Sequence, residues 1–471
     1  VPSLRLTSPS AGELVAAFAA LRAELGLVAA FPVAVEEEAR RMSTARVLPE
    51  TDATDVPFVT IDPAGSADLD QAMHLERDGD GYRVRYAIAD VPAFVEPGGA
   101  IDEEARRRGQ TMYAPDERIP LHPTTLSEGA ASLLPGQLCG AFVWDFRLDA
   151  GANVTTVSVA RARIRSTAQL DYVGVQAQLD AGTASEPLQL LREVGLKRIE
   201  LERARGGASL NRPDQEVEQV GDGYVLSRRM ALPVEGWNAQ LSLMTGMAAA
   251  TLMLDGGVGI LRTMPAPDAD AVARFRRQTV ALGTPWPEGM EYGEYLRTLG
   301  SDDPRQVAIV HAAGSLFRGA GYTAFDGAPP ASTLQAAVGA PYTHVTAPLR
   351  RLVDRFALVL CEALSAGAEV PAWVREALPT LPAIMAKSDD TASRLDHGSI
   401  DAVEAAVLSG RVGERFDATV ISARANGGGT VQLADPAVTA DCTGDVVAGT
   451  SVSVVLETAD VGTRTVRFRV A

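Results

Sequence analysis

One stretch constrains this chain more than any other: Thr60-Ile61-Asp62-Pro63-Ala64-Gly65-Ser66-Ala67-Asp68-Leu69-Asp70-Gln71-Ala72. The apolar run ending in Asp62 reads as a strand, and Pro63 to Ser66 are turn formers that send the chain back. Asp68 and Asp70 stand at i and i+2, so both side chains point to one side of the returning segment. Three carboxylates are therefore expected to meet. Such a group repels itself unless a cation lies among them, and oxygen donors with room for water suit Mg²⁺ or Mn²⁺ rather than zinc. A solvated acidic turn is the alternative in a chain with 43 Lys plus Arg against 60 Asp plus Glu and a formal charge of −17.

That charge excludes a polybasic tail as the main binding device. With 46% hydrophobic and 22% charged residues, the chain has material for a large core in about three structural units, and disorder is excluded for most of it. Cys139, Cys361 and Cys442 lie far apart, which argues against a disulfide framework and for a reducing compartment. No apolar run approaches the roughly 18 residues that span a bilayer, and no basic segment followed by an apolar one opens the chain. A soluble, cytoplasmic monomer without membrane contact is expected. Lys197 and Lys387 are the only lysines.

Leu14, Phe18, Leu21 and Leu25 recur at helical spacing over 12–27, and a second helix is predicted from Val33 to Met42. This hairpin carries five Arg and five Glu within residues 1–48, so its helix-turn-helix outline brings no electrostatic footprint for DNA. Strands are predicted over 56–61, 72–75 and 82–89, the last two joined by Asp78-Gly79-Asp80-Gly81, a hairpin turn rather than a calcium loop. Helical spacing then dominates 187–206, 236–254, 268–282 and 347–366. After a segment rich in Pro, Ala and Ser (371–398), five short strands from Phe416 onward suit a small closed barrel of the OB type. The predicted fold class is α+β, divided into a helical module (1–48), a large domain (49–405) and a terminal barrel (406–471).

The aspartate stretch resembles the catalytic domain of the ribonuclease II family of 3′ to 5′ exoribonucleases, the RNB domain. The resemblance continues through Tyr86-Ala87-Ile88-Ala89-Asp90-Val91, then Ile101-Asp102-Glu103-Glu104-Ala105-Arg106-Arg107-Arg108-Gly109-Gln110-Thr111-Met112-Tyr113-Ala114-Pro115-Asp116 and Arg118-Ile119-Pro120-Leu121. Leu126-Ser127-Glu128-Gly129 and Ser132-Leu133-Leu134-Pro135-Gly136 follow in order. Tyr342-Thr343-His344-Val345-Thr346-Ala347-Pro348-Leu349-Arg350-Arg351 is similar to the family's Tyr…Thr-Ser-Pro-Ile-Arg-Arg signature, with Ala347 for Ser. Together these cover roughly residues 56 to 356.

The resemblance implies that Asp62, Asp68 and Asp70 are active-site aspartates and metal ligands, with Asp70 at the position essential for cleavage. Gln71 stands where the family has a fourth aspartate; its amide oxygen carries no charge, so one ion would be held more weakly. The implied activity is hydrolysis of RNA, mainly single-stranded, to nucleoside 5′-monophosphates with Mg²⁺ or Mn²⁺ as cofactor. Tyr113 matches the tyrosine that stacks on the terminal base, while the second aromatic of the bacterial clamp falls near Val217. Tyr342, Thr346, Arg350 and Arg351 are expected at the RNA, arginine forks matching phosphate oxygens; an ion pair to Asp354 is the alternative for the arginines. Arg318 lies near a phosphate-binding position of the family.

The terminal barrel resembles an S1 RNA-binding domain. Six arginines against seven acids from 411 onward leave it near neutral, with Phe416 and Phe468 as its only aromatics, but Arg464, Arg467 and Arg469 are expected to form a basic strip. About 50 residues precede the catalytic strand, too few for the family's tandem cold-shock barrels, which leads to an expected wider mouth and greater tolerance of paired RNA. His74, His122, His311, His344 and His397 form no metal-like spacing. A different class of protein, an RNA-binding scaffold keeping the fold without the chemistry, remains open, with Gln71 as its sign.

Overall fold

Along the strands Gln71–Asp78 and Gly81–Ala89, Met73, Leu75, Tyr86 and Ile88 enter one core while Ala72, Ala87 and Ala89 enter another, the period of two that a pleated strand imposes. The structure, a computed structural model, describes residues 4–5, 8–208, 214–220, 223–300, 303–316, 318–424, 427–433, 436 and 438–471. The two strands pair as a hairpin that turns across Asp78 and Gly81. They lie inside a six-stranded sheet whose spatial order is Val154–Arg165, Leu138–Leu148, Gly81–Ala89, Gln71–Asp78, Val59–Asp62 and Ala168–Asp171. Neighbours are antiparallel except the last pair, where Asp62 lies level with Asp171 on a parallel strand.

The face bearing Tyr82, Tyr86, Trp144 and Phe146 is covered by helices Glu186–Ala204, Pro233–Gly256 and Leu352–Ser365, through Leu191, Leu241 and Phe356 among others. The alanine-rich face takes Val35 and Ala39 of helix Val33–Ala45, Ile101 of helix Ala100–Arg108, and Leu126, Leu133 and Leu349. Burying each large apolar side chain contributes about 1.5–3 kcal/mol, so both faces resist any slip in register, which would turn every side chain to the wrong side.

The predicted helical hairpin is present as Ser8–Glu24 and Val33–Ala45, and it packs on its own chain. Leu14, Ala17 and Phe18 lie on Ala402, Val403 and Ala406, and Leu21 meets Met112 and Leu395. The segment 371–398 is not irregular: it forms helices Ala372–Ala377 and Leu381–Leu408, proline being accepted in the first turn, where its missing N–H costs nothing. The expected divide at 405/406 falls inside the longer helix, near its end. The helix predicted over 347–366 starts only at Leu352, because Pro348 disfavours helical geometry in the residue before it.

The terminal strands close into a five-stranded barrel, Arg415–Ala423, Gly429–Leu433, Thr439–Thr443, Thr465–Val470 and Ser451–Asp460 in spatial order. Phe416 and Phe468 meet edge to face in its core, so neither offers a stacking surface. Two arginines of the expected basic strip are paired, Arg464 with Glu24 and Arg469 with Glu457, while Arg467 is exposed. The three cysteines are buried and free, and no helix among the described residues is long and apolar enough to cross a membrane.

His122 is 1% exposed. Burial first, then the charge of Arg355, pushes its imidazole down to about 3, with Arg108 adding to the effect and Asp102 opposing it. The unfolded chain takes up that proton below about pH 6.5, so His122 contributes stability above that pH which is lost as pH falls toward 3. Urea unfolding of His122→Asn across this window should show a pH slope shallower by up to one proton, about 1.4 kcal/mol per pH unit; coincident slopes would refute the assignment. Of the other histidines, His74 is buried, His344 half-buried and His397 exposed; the side chain of His311 lies outside the described residues.

Candidate active site

Strand Val59–Asp62 ends on Asp62, and Gly65, at φ +84° in the turn closed by the Ser66 N–H to the Pro63 carbonyl, reverses the chain. Leu69 is fully buried, its N–H donating to the Ser132 hydroxyl oxygen at 2.9 Å and its carbonyl accepting from Leu133 N–H. This anchor fixes the backbone between Asp68 and Asp70. The Asp70 carbonyl accepts from Ala89 N–H at 2.9 Å, which ties the loop to the sheet.

Asp70 is 5% exposed. Its Oδ1 accepts from Leu349 N–H at 2.8 Å, and its Oδ2 lies 3.7 Å from Arg350 Nε. Burial pushes its carboxyl up to about 8, with Arg350 and the Leu349 N–H opposing. Asp62 is pushed up to about 6, by burial and then by the negative charge of Asp68, and its Oδ2 is buried with no hydrogen-bond partner. Asp68 is paired with Arg118 at 2.9 Å, the same guanidinium also holding Glu128.

The expected meeting of three carboxylates is therefore corrected: among the described residues, no three Asp, Glu, His or Cys side chains are arranged to hold a metal ion. Arginines supply the counter-charge, Arg118 drawing Asp68 aside and Arg350 lying over Asp70. The donor chemistry nonetheless suits a hard cation. All three side chains offer oxygens, and the partnerless Asp62 Oδ2 together with the raised carboxyls of Asp62 and Asp70 marks a site short of positive charge.

Gln71 is bonded at both ends of its amide. Its Nε2 donates to the Thr346 carbonyl at 2.6 Å, and its Oε1 accepts from the Tyr86 hydroxyl at 2.9 Å, which also meets Ser242 Oγ. Thr346 thus contributes a backbone oxygen while its side chain is buried. Arg351 makes the ion pair foreseen as its alternative: Nε and Nη2 each reach an oxygen of Asp354 at 2.9 Å. Asp354 also accepts from Ala347 N–H at 2.7 Å, fixing the loop that presents Leu349 N–H and Arg350. Tyr342 is buried edge-on against His344.

Tyr113 is 54% exposed on a two-stranded hairpin, directly across from Arg118, within the fields of Asp68, Asp70 and Arg350. Tyr172, bonded through its hydroxyl to Asn238 Nδ2, feels the charges of Asp62 and Arg350, giving the site a second aromatic that sequence reasoning missed. The side chain of Val217 lies outside the described residues. Arg318 is not gathered here; it is exposed in a groove beside the barrel. Arg118 and Ser132 were also missed as site residues, since only the tertiary fold brings them to the aspartates.

Residues 50–365 match the RNB domain, and residues 414–471 match the RNase II-type exonuclease C-terminal S1 domain. Exoribonuclease 2 of Aeromonas hydrophila is 33% identical over 192 residues, 38% of this chain and 28% of that protein; the chain spans well under half the length of the curated relatives it matches. In fold it is similar to the apo form of Mycoplasma genitalium RNase R, with TM-score 0.85 and 17% identity over 98% of this chain and 78% of that one. It is also similar to yeast Ssd1, described as a pseudonuclease, with TM-score 0.67 and 18% identity over 92% and 53%. At these identities the structural likenesses show the fold alone.

Proposed function

The chain belongs to the RNB-domain exoribonuclease family, and from that membership we propose that it is a 3′ to 5′ exoribonuclease hydrolysing RNA, mainly single-stranded, to nucleoside 5′-monophosphates. The observation that carries the reading is the charge-deficient pair of half-buried Asp62 and buried Asp70 beside the half-exposed ring of Tyr113. With Asp68 released from Arg118, Asp62, Asp68 and Asp70 would hold a divalent cation, Mg²⁺ or Mn²⁺, which when bound supplies Lewis-acid polarisation of the scissile phosphate. Tyr113 stacks on the terminal base, a contact open to any base. Arg350, 48% exposed at its side chain, offers its fork to the phosphate. Gln71, Tyr342, Thr346, Arg351 and Asp354 hold the loop that aims it. Water attacks phosphorus, the P–O3′ bond breaks, and the proton balance leaves a 3′-hydroxyl on the shortened strand and a 5′-phosphate on the released nucleoside.

A 5′-labelled oligo(A) incubated with Mg²⁺ should give a ladder shrinking from its 3′ end, and the same reaction in EDTA should give none. A second reading, an RNA-binding scaffold, is favoured by Gln71 being bonded at both ends rather than free toward the aspartates. RNA retained at full length with Mg²⁺ would decide for it.

A further inference from the structure

The ring of Tyr113 stands on a very small ribbon. Met112–Tyr113 and Arg118–Ile119 pair as a hairpin with two residues in each strand, Met112 across from Ile119 and Tyr113 across from Arg118, and the Ala114 N–H donates to the Glu117 carbonyl at 2.9 Å to close its turn. An isolated ribbon of this size is marginally stable at best, so the direction in which Tyr113 faces depends on what grips the hairpin. Successive side chains leave opposite faces. Tyr113 and Arg118 take the face toward the aspartates, where Arg118 pairs with Asp68 and Glu128. Met112 and Ile119, each 3% exposed, take the other.

That other face is held by the N-terminal helix Ser8–Glu24. Its Leu21 packs with Met112, Ile119 and Leu395, seated so closely on Gly398 that a Cβ there would come within 2.9 Å of the Leu21 Cδ2. The next residue, Arg22, spreads its guanidinium over the turn: Nη1 is paired with Asp116, and Nε lies 3.1 Å from Glu117 Oε2. The side chains of Arg22 and Asp116 are only 15% and 12% exposed, so this pair is screened less than a surface bridge. At the base of the ribbon the Thr111 N–H donates to the Arg350 carbonyl at 3.0 Å, which joins it to the loop presenting that arginine. When Asp68 turns from Arg118 to a cation, the hairpin keeps Glu128 on one face and Arg22 at its turn.

We propose that Arg22 is a positioning residue: through Asp116 and Glu117 it fixes the hairpin on which Tyr113 stands, so that the N-terminal helix sets the stacking of the terminal base without itself touching RNA. The nature of the stacked ligand rests on the reading of RNA as substrate.

The test places 2-aminopurine, whose fluorescence is quenched by stacking, at the 3′ end of an oligo(A) of about five nucleotides and titrates it with the full chain in EDTA, where no hydrolysis is required. Bound to the natural chain the probe should be dim. Arg22→Ala should leave it about twofold brighter and weaken binding about fivefold, part of what a lost base–aromatic stack removes. Asp116→Asn/Glu117→Gln, which alters the hairpin side of the same contact, should match it, and Arg22→Lys, keeping the charge without the fork, should fall between. Arg394→Gln, which breaks a pair with Glu24 in the last turn of the same helix, should leave brightness and affinity unchanged. On a Tyr113→Leu background Arg22→Ala should weaken binding by less than about twofold more, because residues acting as one unit are not additive. A probe that stays bright on the natural chain, an Arg22→Ala complex as dim as the natural one, an Arg394→Gln complex as bright as that of Arg22→Ala, or an undiminished further loss on the Tyr113→Leu background would each overturn the proposal. Stacking that answers to Arg22 as stated, in a chain that never shortens RNA in Mg²⁺, would refute the nuclease and leave the role of Arg22 standing.

Discussion

Asp70→Asn should abolish trimming while leaving the protein folded and bound to RNA. The substitution keeps an oxygen for the Leu349 N–H and removes a carboxyl that burial already pushes up to about 8, so melting should not fall. What it removes is the negative charge at the centre of the proposed cation site. If that site supplies about 4 kcal/mol of transition-state stabilisation, turnover drops about a thousandfold at 1.36 kcal/mol per tenfold. Affinity for oligo(A) in EDTA should stay within threefold. A variant retaining a tenth of the natural rate would place the chemistry elsewhere.

The second large effect is expected at a residue that touches no substrate. Asp354 is fully buried and accepts both from the Arg351 fork and from Ala347 N–H. Asp354→Ala leaves a largely buried guanidinium without its counter-charge, a change that costs about 3–5 kcal/mol. It also frees the loop carrying Arg350 and Leu349 N–H, so turnover should fall about 10–100-fold, the range seen when supporting groups around a metal site are lost. Chemical denaturation reads the first effect, and the split between kcat and KM reads the second, with kcat carrying most of the loss. Asp52→Ala, breaking an exposed pair with Arg163, should leave both unchanged. Equal behaviour of the two variants would mean that Asp354 neither stabilises the fold nor positions the loop.

The parts legible in the sequence are those set by local period. Leu69, the apolar residue between two aspartates, is buried, the hairpin at Asp78 and Gly81 follows from its turn residues, and the five terminal strands are spaced as a barrel requires. Arg351 and Asp354, three apart, were readable as a pair for the same reason. Counter-charges brought from afar were not readable. Arg118 reaches Asp68 through a hairpin bearing Tyr113, and Glu24 of the first helix neutralises Arg464 of the barrel. Gln71 looked like a substituted ligand in the sequence; in the fold its amide bridges Tyr86 and the Thr346 carbonyl, partners that no spacing along the chain announces.

Counting manganese bound to the protein, by the loss of the free-ion electron paramagnetic resonance signal, bears most directly on the three aspartates. The natural chain should bind Mn²⁺ with at least one site that Mg²⁺ displaces, and Asp62→Asn/Asp70→Asn should lose that site while keeping its melting temperature. Trimming by the natural chain with no manganese bound, or undiminished binding by the double variant, would contradict the assignment.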